Sequence, residues 1–418
     1  MSDDRYDLVW FWRQNDSGLY GRRQDLLLRH LAASPRVRRI VHFDRPLTPG
    51  ELFGEATIAR HPLQRHANRV LLQTLPRLLP WPFARKLSSH TFLYAQGARR
   101  SRHMLERVLP GAHDYAAYVR RILARCGVGA RRTVFWVYPR NLSFPALVRD
   151  LAPPLIVADC LDDQRAAPHA SPQFVDRTAA NYRAVLELAD LVLTNCEGMQ
   201  RAMSEFRDDI YTVESGYEGA REKRRCPGDL ARVPRPILGY AGNLTARLDV
   251  ALLRELALRH PEWSIVLIGP VPDDIALREL GALPNVYLLG VRPHPRVRDY
   301  IRHLDVALLP HLDTELSRTM APLKLGVYCA EGVPVVATRI ANLGALAEVI
   351  DVAPGAGEFV AQVERALHTP ESDERRERRE AILAAGSWEH RTAEVLELLD
   401  EAWTRRGARP RGAPTPPS

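Results

Sequence analysis

The 418-residue chain reads as an α/β protein of two tandem Rossmann-like domains facing each other across a cleft. Three observations lead there. Short apolar runs alternate with amphipathic segments of helical period, which implies βαβ units and parallel sheets. That rhythm occurs twice, on either side of a stiff polar connector, Arg232-Val233-Pro234-Arg235-Pro236. The length suits two domains at roughly 100–200 residues each. Hydrophobic content of 46% and charged content of 26% exclude collagen, general disorder and a disulfide scaffold.

In the first half, Tyr6–Trp12 is an apolar run consistent with a buried strand. A helix follows over about 20–33, with Leu27, Leu28 and Leu31 as its buried stripe. Val37–Phe43 is a second strand. The pattern then breaks over about 45–130, a long Arg-rich stretch read as a helical insertion. Strands resume at Thr133–Tyr138, Leu155–Ala158, Leu191–Thr194 and Ile210–Val213, with helices over about 142–151, 172–189 and 197–205. The first domain is therefore placed at 1–233.

The second domain, 234–386, takes strands at Ile237–Ala241, Ser264–Ile268, Val286–Leu289, Val306–Leu309, Val333–Ala337 and near Val349–Val352. The segment from Gly216 to Asp229 reads as exposed loop, and Glu371–Glu380 as a helix solvated on all faces. An amphipathic helix over 387–406 is expected to pack back on the first domain. The Pro/Gly-rich residues 407–418 read as a disordered tail.

Net charge is +8, which suits anionic partners. Between Arg60 and Pro110 ten Lys/Arg stand against one acid, Glu106, with Trp81, Phe83 and leucines interleaved. Such a segment can dock on anionic lipid headgroups; the alternative is a packed helical pair with a solvated basic face. No helix-turn-helix, zinc-finger or aromatic RNA-binding signature accompanies the charge, so no nucleic-acid partner is expected. The five cysteines form no C-x-x-C pair and read as reduced thiols. No run approaches the ~18 apolar residues of a membrane span. The start of the chain is acidic where a secretory signal is basic, so a cytoplasmic protein is expected.

Three loops at strand ends stand out in the second half. Gly239-Tyr240-Ala241-Gly242-Asn243 brings glycines to the end of a strand, where backbone can approach a ligand closely. It lacks the G-x-G-x-x-G spacing of a dinucleotide site. Gly269-Pro270 and Gly290-Val291 end two further strands on what should be the same sheet edge. Thr319-Met320-Ala321-Pro322-Leu323-Lys324 leads into a helix, and a helix start binds phosphate through unpaired N–H groups and its dipole. Lys324 is the wrong charge for a first turn unless an anion sits there. Only three of the 58 basic residues are lysine, which adds weight to this one.

The block from Pro322-Leu323-Lys324 through Tyr328-Cys329-Ala330-Glu331-Gly332-Val333-Pro334-Val335-Val336-Ala337-Thr338 resembles the donor-binding segment of family-4-type glycosyltransferases of the GT-B fold. It looks closest to the bacterial branch that assembles surface polysaccharides. Trp263–Pro270, Asn285–Gly290 and Asp305–Pro310 follow in the expected order. In the first half, Asp159-Cys160-Leu161-Asp162-Asp163 resembles the family's acidic loop. The resemblance implies transfer of a sugar, with retention of configuration, from a nucleotide-diphosphate donor to a lipid-linked or saccharide acceptor. The sugar nucleotide is then a substrate, and no cofactor or metal is expected.

Two departures qualify it. The family carries two glutamates, eight positions apart, where this chain has Thr319 and Val327. A threonine can serve at the first place; Val327 cannot accept a ribose hydrogen bond, which leaves Glu331 or Glu315 to substitute. Arg247 stands for the family's basic residue after the glycine loop. The donor site is thus drawn with Gly242, Asn243, Arg247, Gly269, Pro270, Val291, Thr319, Pro322, Leu323, Lys324 and Glu331. Lys324 stabilises the leaving diphosphate. On the acceptor side the loop Asn15, Asp16, Ser17, Gly18 is expected to line the cleft, with Asp16 as candidate base and Arg22 near an acceptor. Asp16 as a turn or capping acid is the alternative. Val327 also admits a non-catalytic GT-B-like partner protein, and the architecture a nucleotide-sugar epimerase.

Overall fold

The computed structural model describes residues 4–12, 18, 21–58, 67–79, 86–95, 109–129, 132–168, 170–219, 225–245, 247–271 and 274–407. The first half forms a seven-stranded parallel sheet ordered β3-β2-β1-β4-β5-β6-β7. Its strands are β1 (Tyr6–Phe11), β2 (Val37–Phe43), β3 (Leu87–His90), β4 (Arg132–Val137), β5 (Leu155–Cys160), β6 (Leu191–Thr194) and β7 (Ile210–Thr212). The second half forms a six-stranded parallel sheet ordered β10-β9-β8-β11-β12-β13. It comprises β8 (Ile237–Ala241), β9 (Ser264–Ile268), β10 (Val286–Leu288), β11 (Val306–Leu309), β12 (Val335–Thr338) and β13 (Asp351–Ala353). The strand order reverses between β1 and β4 and again between β8 and β11. Each reversal opens a crevice at the carboxyl ends of the strands, where α/β sheets bind ligands. The chain is α/β with two Rossmann-like sheets, as the repeated rhythm predicts.

Period-2 alternation divides β1 between two cores. Val9 and Phe11 belong to one face, while Tyr6, Leu8 and Trp10 join the other, where Trp10 stacks on Trp136 at 4.3 Å. The second face is covered by α1 (Arg23–Ala33) and by the last helix, α15 (Trp388–Gly407). Trp388, Val395, Leu396 and Leu399 of α15 are buried there. Asp400 of α15 accepts from the Tyr6 hydroxyl at 2.7 Å and from Arg132 at 2.9 Å.

Several expectations need correction. The insertion is not wholly helical. Beside α2 (Pro49–Ile58), α3 (Ala67–Arg77) and α4 (Tyr115–Arg125) it contributes β3, which pairs with β2. Leu-Ser-Ser-His lacks the apolar run that marks a buried strand. Its inward Ser88 and His90 side chains meet each other instead, His90 Nε2 lying 3.2 Å from Ser88 Oγ. The segment after residue 216 is not simply exposed: Gly216 is buried, with a Cβ there only 2.6 Å from Trp388. Tyr217 packs on Gly326 and Gly386. Helix α14 (Asp373–Ala385) has a buried face, because Arg379 bonds Glu371 and the Cys329 carbonyl. The expected tail beyond residue 407 lies outside the described residues. All five cysteines are free. Among the described residues no helix is long and apolar enough to cross a membrane.

Candidate active site between the two sheets

A cavity of about 590 Å³ lies between the carboxyl ends of the two sheets. From the first sheet it meets Trp12 after β1, Tyr138 after β4, Asp162 after β5 and Asn195 after β6. From the second it meets Gly242 after β8, Gly269 after β9 and Val291 after β10. Pro322, Leu323, Lys324 and Val327, at the start of α12 (Leu323–Ala330), close it.

The glycine loops are stitched into one rim. Gly242 donates its N–H to the Ile268 carbonyl at 2.8 Å, and Gly269 donates to the Gly290 carbonyl at 3.0 Å. A Cβ on Gly269 would stand 1.8 Å from the Gly242 carbonyl oxygen, so no larger residue fits this approach. Gly242 has φ +157° and Gly290 φ +71°, conformations that favour glycine.

Two cations face the cavity beside this rim. The Lys324 Nζ donates to the Tyr240 hydroxyl at 2.5 Å, lies 3.4 Å from His311 Nε2 and sits 4.1 Å from the centre of the Tyr240 ring. Arg247 bonds Thr245 Oγ1 at 3.3 Å and approaches the Met320 sulfur. Among the described residues neither cation has a carboxylate partner. Burial, reinforced by the Arg247 charge, holds the Lys324 amine well below its ordinary pKa. Burial, then Lys324 and Arg247, push His311 down to about 2, so its imidazole is neutral. A desolvated amine without an acid beside it is costly to charge, and an anion arriving from solution removes that cost. The N–H groups at the start of α12 add to the attraction.

The structure brings together Gly242, Asn243, Arg247, Gly269, Pro270, Val291, Pro322, Leu323, Lys324 and Arg22 on the cavity wall. Four expected residues fall elsewhere. Thr319 is buried beside the cavity, not in its wall: its hydroxyl accepts the Asp163 N–H at 3.1 Å and donates to the Leu316 carbonyl at 3.0 Å. Glu331 points away, at the far end of α12, and is consumed by Arg298 and Arg302, each at 2.5 Å. The alternative, Glu315, is exposed at the start of α11 (Glu315–Arg318). Gly18 is exposed and donates its N–H to Asp25 at 2.7 Å, outside the wall. Asn15, Asp16 and Ser17 lie outside the described residues. Val327 does line the cavity.

Asp162 is the acid that sequence reasoning did not single out. It is the one carboxylate in the cavity wall among the described residues. Its neighbours in the acidic loop are not in that wall. Asp159 is enclosed in β5, 3.8 Å from the buried Arg23, with its pKa raised by burial. Asp163 is paired with Arg165 at 2.9 Å. Asp162 adopts a left-handed φ of +54°. Hydrogen bonds around it hold that conformation: Tyr138 to the Leu161 carbonyl at 2.6 Å, Gln164 to the Asp162 carbonyl at 3.0 Å, and Asp163 to Thr319. Strain that its surroundings over-determine is a mark of working sites.

The two halves meet along a seam at this loop. Besides the Asp163–Thr319 bond, a Cβ on Gly198, in α7 (Glu197–Met203), would lie 1.8 Å from the Arg318 carbonyl oxygen. A Cβ on Gly21 would lie 2.2 Å from the His294 ring.

Residues 235–369, which hold the glycine rim and α12, match the family model described as glycosyl transferases group 1. A protein of Bacillus subtilis (strain 168) named as a teichuronic acid biosynthesis glycosyltransferase, TuaH, is 28% identical over 192 residues. That match covers 44% of this chain and 48% of TuaH, so the chain spans about half the length of this curated relative. Among solved structures, Anabaena HepE in complex with UDP and glucose aligns with a TM-score of 0.62 at 12% identity, over 94% of this chain and 99% of that one. The α,α-trehalose 6-phosphate synthase of Burkholderia multivorans aligns at 0.59 and 14%, over 97% and 100%. These likenesses establish the GT-B-like fold.

Proposed function

We propose that this protein transfers a sugar from a nucleoside-diphosphate donor to a lipid-linked or saccharide acceptor, with retention of configuration, in surface polysaccharide or glycolipid assembly. The observation that carries this reading is the acid-free cation pair, Lys324 and Arg247, beside the glycine rim at the start of α12. The diphosphate lies there, and the two cations with the helix N–H groups stabilise charge on the departing phosphate. Asp162, across the cavity, orients the acceptor hydroxyl. The match to the group 1 family and the name of TuaH support the class and the polysaccharide setting. In this reading the chain belongs to the surface-polysaccharide branch of family-4-type enzymes, and the donor is a substrate with no separate cofactor. Titration of the purified protein with UDP, GDP and dTDP in a calorimeter tests it. Binding by at least one is expected, and no heat at millimolar nucleotide overturns the donor site.

The acceptor side is proposed to work at the cytoplasmic face of an anionic membrane. Leu72, Leu75 and Leu79, spaced to share one side of α3 and the turn after it, are 66%, 45% and 50% exposed. They lie within the basic 60–110 segment, so apolar insertion and attraction to lipid headgroups act together. Sedimentation with anionic liposomes, and not with neutral ones, is expected at low salt; equal, negligible binding to both removes this part of the reading.

A further inference from the structure

The chain passes between the two halves twice, once after β7 on the way to β8 and once between α14 and α15. The two crossings are bonded side by side. Tyr217 donates its N–H to the Gly386 carbonyl at 2.8 Å, and Trp388 donates to the Tyr217 carbonyl at 3.3 Å. Glu214 pairs with Arg391 at 2.9 Å. Trp388 is buried in a core of the first half, so the junction is anchored there. The Tyr217 ring reaches the other way, against the core of the second half, and is held by its two edges. A Cβ on Gly326 would stand 2.3 Å from its Cδ1, and one on Gly386 2.6 Å from its Cε2. Neither glycine has a positive φ, so the fold uses their missing side chains and not their backbone freedom. Glycine weakens a helix interior, yet Gly326 is the fourth residue of α12.

Lys324 stands two residues before Gly326, and its amine lies in a narrow slot. A Cβ on Gly242 would be 2.5 Å from Nζ, and the Tyr240 hydroxyl and His311 close around it. An amine threaded so closely depends on where its helix stands. The dipole of the helix start is a summed property and tolerates a small shift better. We propose that Tyr217 is a positioning residue for the donor site. Its ring wedges α12 against the junction of the two crossings and so keeps Lys324 where it meets a diphosphate; this rests on the donor site proposed above. The wedge works by shape: the ring fills the space that two glycines leave, and the hydroxyl takes no part.

The test is a double-mutant cycle read by calorimetry on the full chain, with whichever of UDP, GDP and dTDP binds. Tyr217→Ala is expected to weaken binding by about tenfold, and by less than about twofold when Lys324→Ala is already present. Tyr217→Phe keeps the ring and is expected to bind as the unmodified protein does. Gly326→Ala drives a methyl group into the ring and is expected to repeat the Tyr217→Ala result in both backgrounds. It serves in place of Tyr217→Ala should that variant fail to fold, which urea unfolding shows. Unchanged affinity in the folded Tyr217→Ala or Gly326→Ala protein, or the same loss with and without Lys324, overturns the proposal and leaves the donor site standing. Binding of none of the three nucleotides, or no effect of Lys324→Ala, removes the donor site itself, and this inference with it.

Discussion

The wall that the second sheet gives to the cavity is organised by backbone: three glycine loops bonded to one another and a helix start, with two cations beside them. The wall from the first sheet is rich in polar and aromatic residues: an indole, a tyrosine, arginines, an asparagine and one carboxylate, from the segments that follow β1, β4, β5 and β6. A backbone wall recognises what every nucleotide donor shares, a diphosphate. A side-chain wall can be rebuilt residue by residue without disturbing the sheet beneath it, which suits the partner that differs from one transferase to the next.

Substitutions that act on one wall alone put that division to work. The largest expected effect belongs to neither wall. Glu331→Ala leaves Arg298 and Arg302 facing each other in a buried site, and should cost about 3–5 kcal/mol of stability, read from urea unfolding. Nucleotide affinity of the folded protein should stay within about twofold, since Glu331 does not touch the cavity. A large loss of affinity without loss of stability would return Glu331 to the donor site. Asp162→Asn comes next. Release of nucleoside diphosphate from a nucleotide sugar that the protein binds should slow by about a hundredfold or more, with affinity for the free diphosphate unchanged. If binding falls and turnover per bound donor does not, the carboxylate belongs to the donor wall and the division fails.

Lys324→Ala should weaken diphosphate binding by about 1.5–3 kcal/mol, or roughly ten- to a hundredfold, the range of a charge-assisted bond. The smallest effect is on pH. The free amine of Lys324 has a lowered pKa, and a bound anion raises it again. Binding should therefore take up protons, and affinity should fall as pH rises from the free-state pKa toward the pKa in the complex. Calorimetry in buffers of different ionisation enthalpy measures that uptake, and Lys324→Ala should abolish it.

The backbone wall was legible because its geometry constrains residue type. Gly242 and Gly269 are required by an approach that no Cβ survives, and Pro322-Leu323-Lys324 marks a helix start; each leaves a trace at a fixed distance from an apolar run. The first wall left no such trace. Asp162 sits two residues beyond a strand, between Leu161 and Asp163, and nothing in Asp159-Cys160-Leu161-Asp162-Asp163 says which acid faces the cavity. The fold decides it: Asp159 is enclosed beside Arg23 of α1, Asp163 pairs with Arg165 of the next turn, and Asp162 lines the cavity. Glu331 misled for a related reason. Four residues on a helix share a face, but α12 ends there, and its last turn is turned toward α10 (His294–Ile301), whose Arg298 claims the carboxylate. The strand β3 was hidden because a short edge strand carrying serine and histidine has no apolar signature.

The Asp163–Thr319 bond ties the state of one wall to the position of the other. The N–H it engages follows directly on Asp162, and the hydroxyl that receives it lies three residues before Pro322. That bond is one of three that fix the turn at Asp162, with Tyr138 to the Leu161 carbonyl and Gln164 to the Asp162 carbonyl, so the conformation of a residue in one wall depends on where the other half sits.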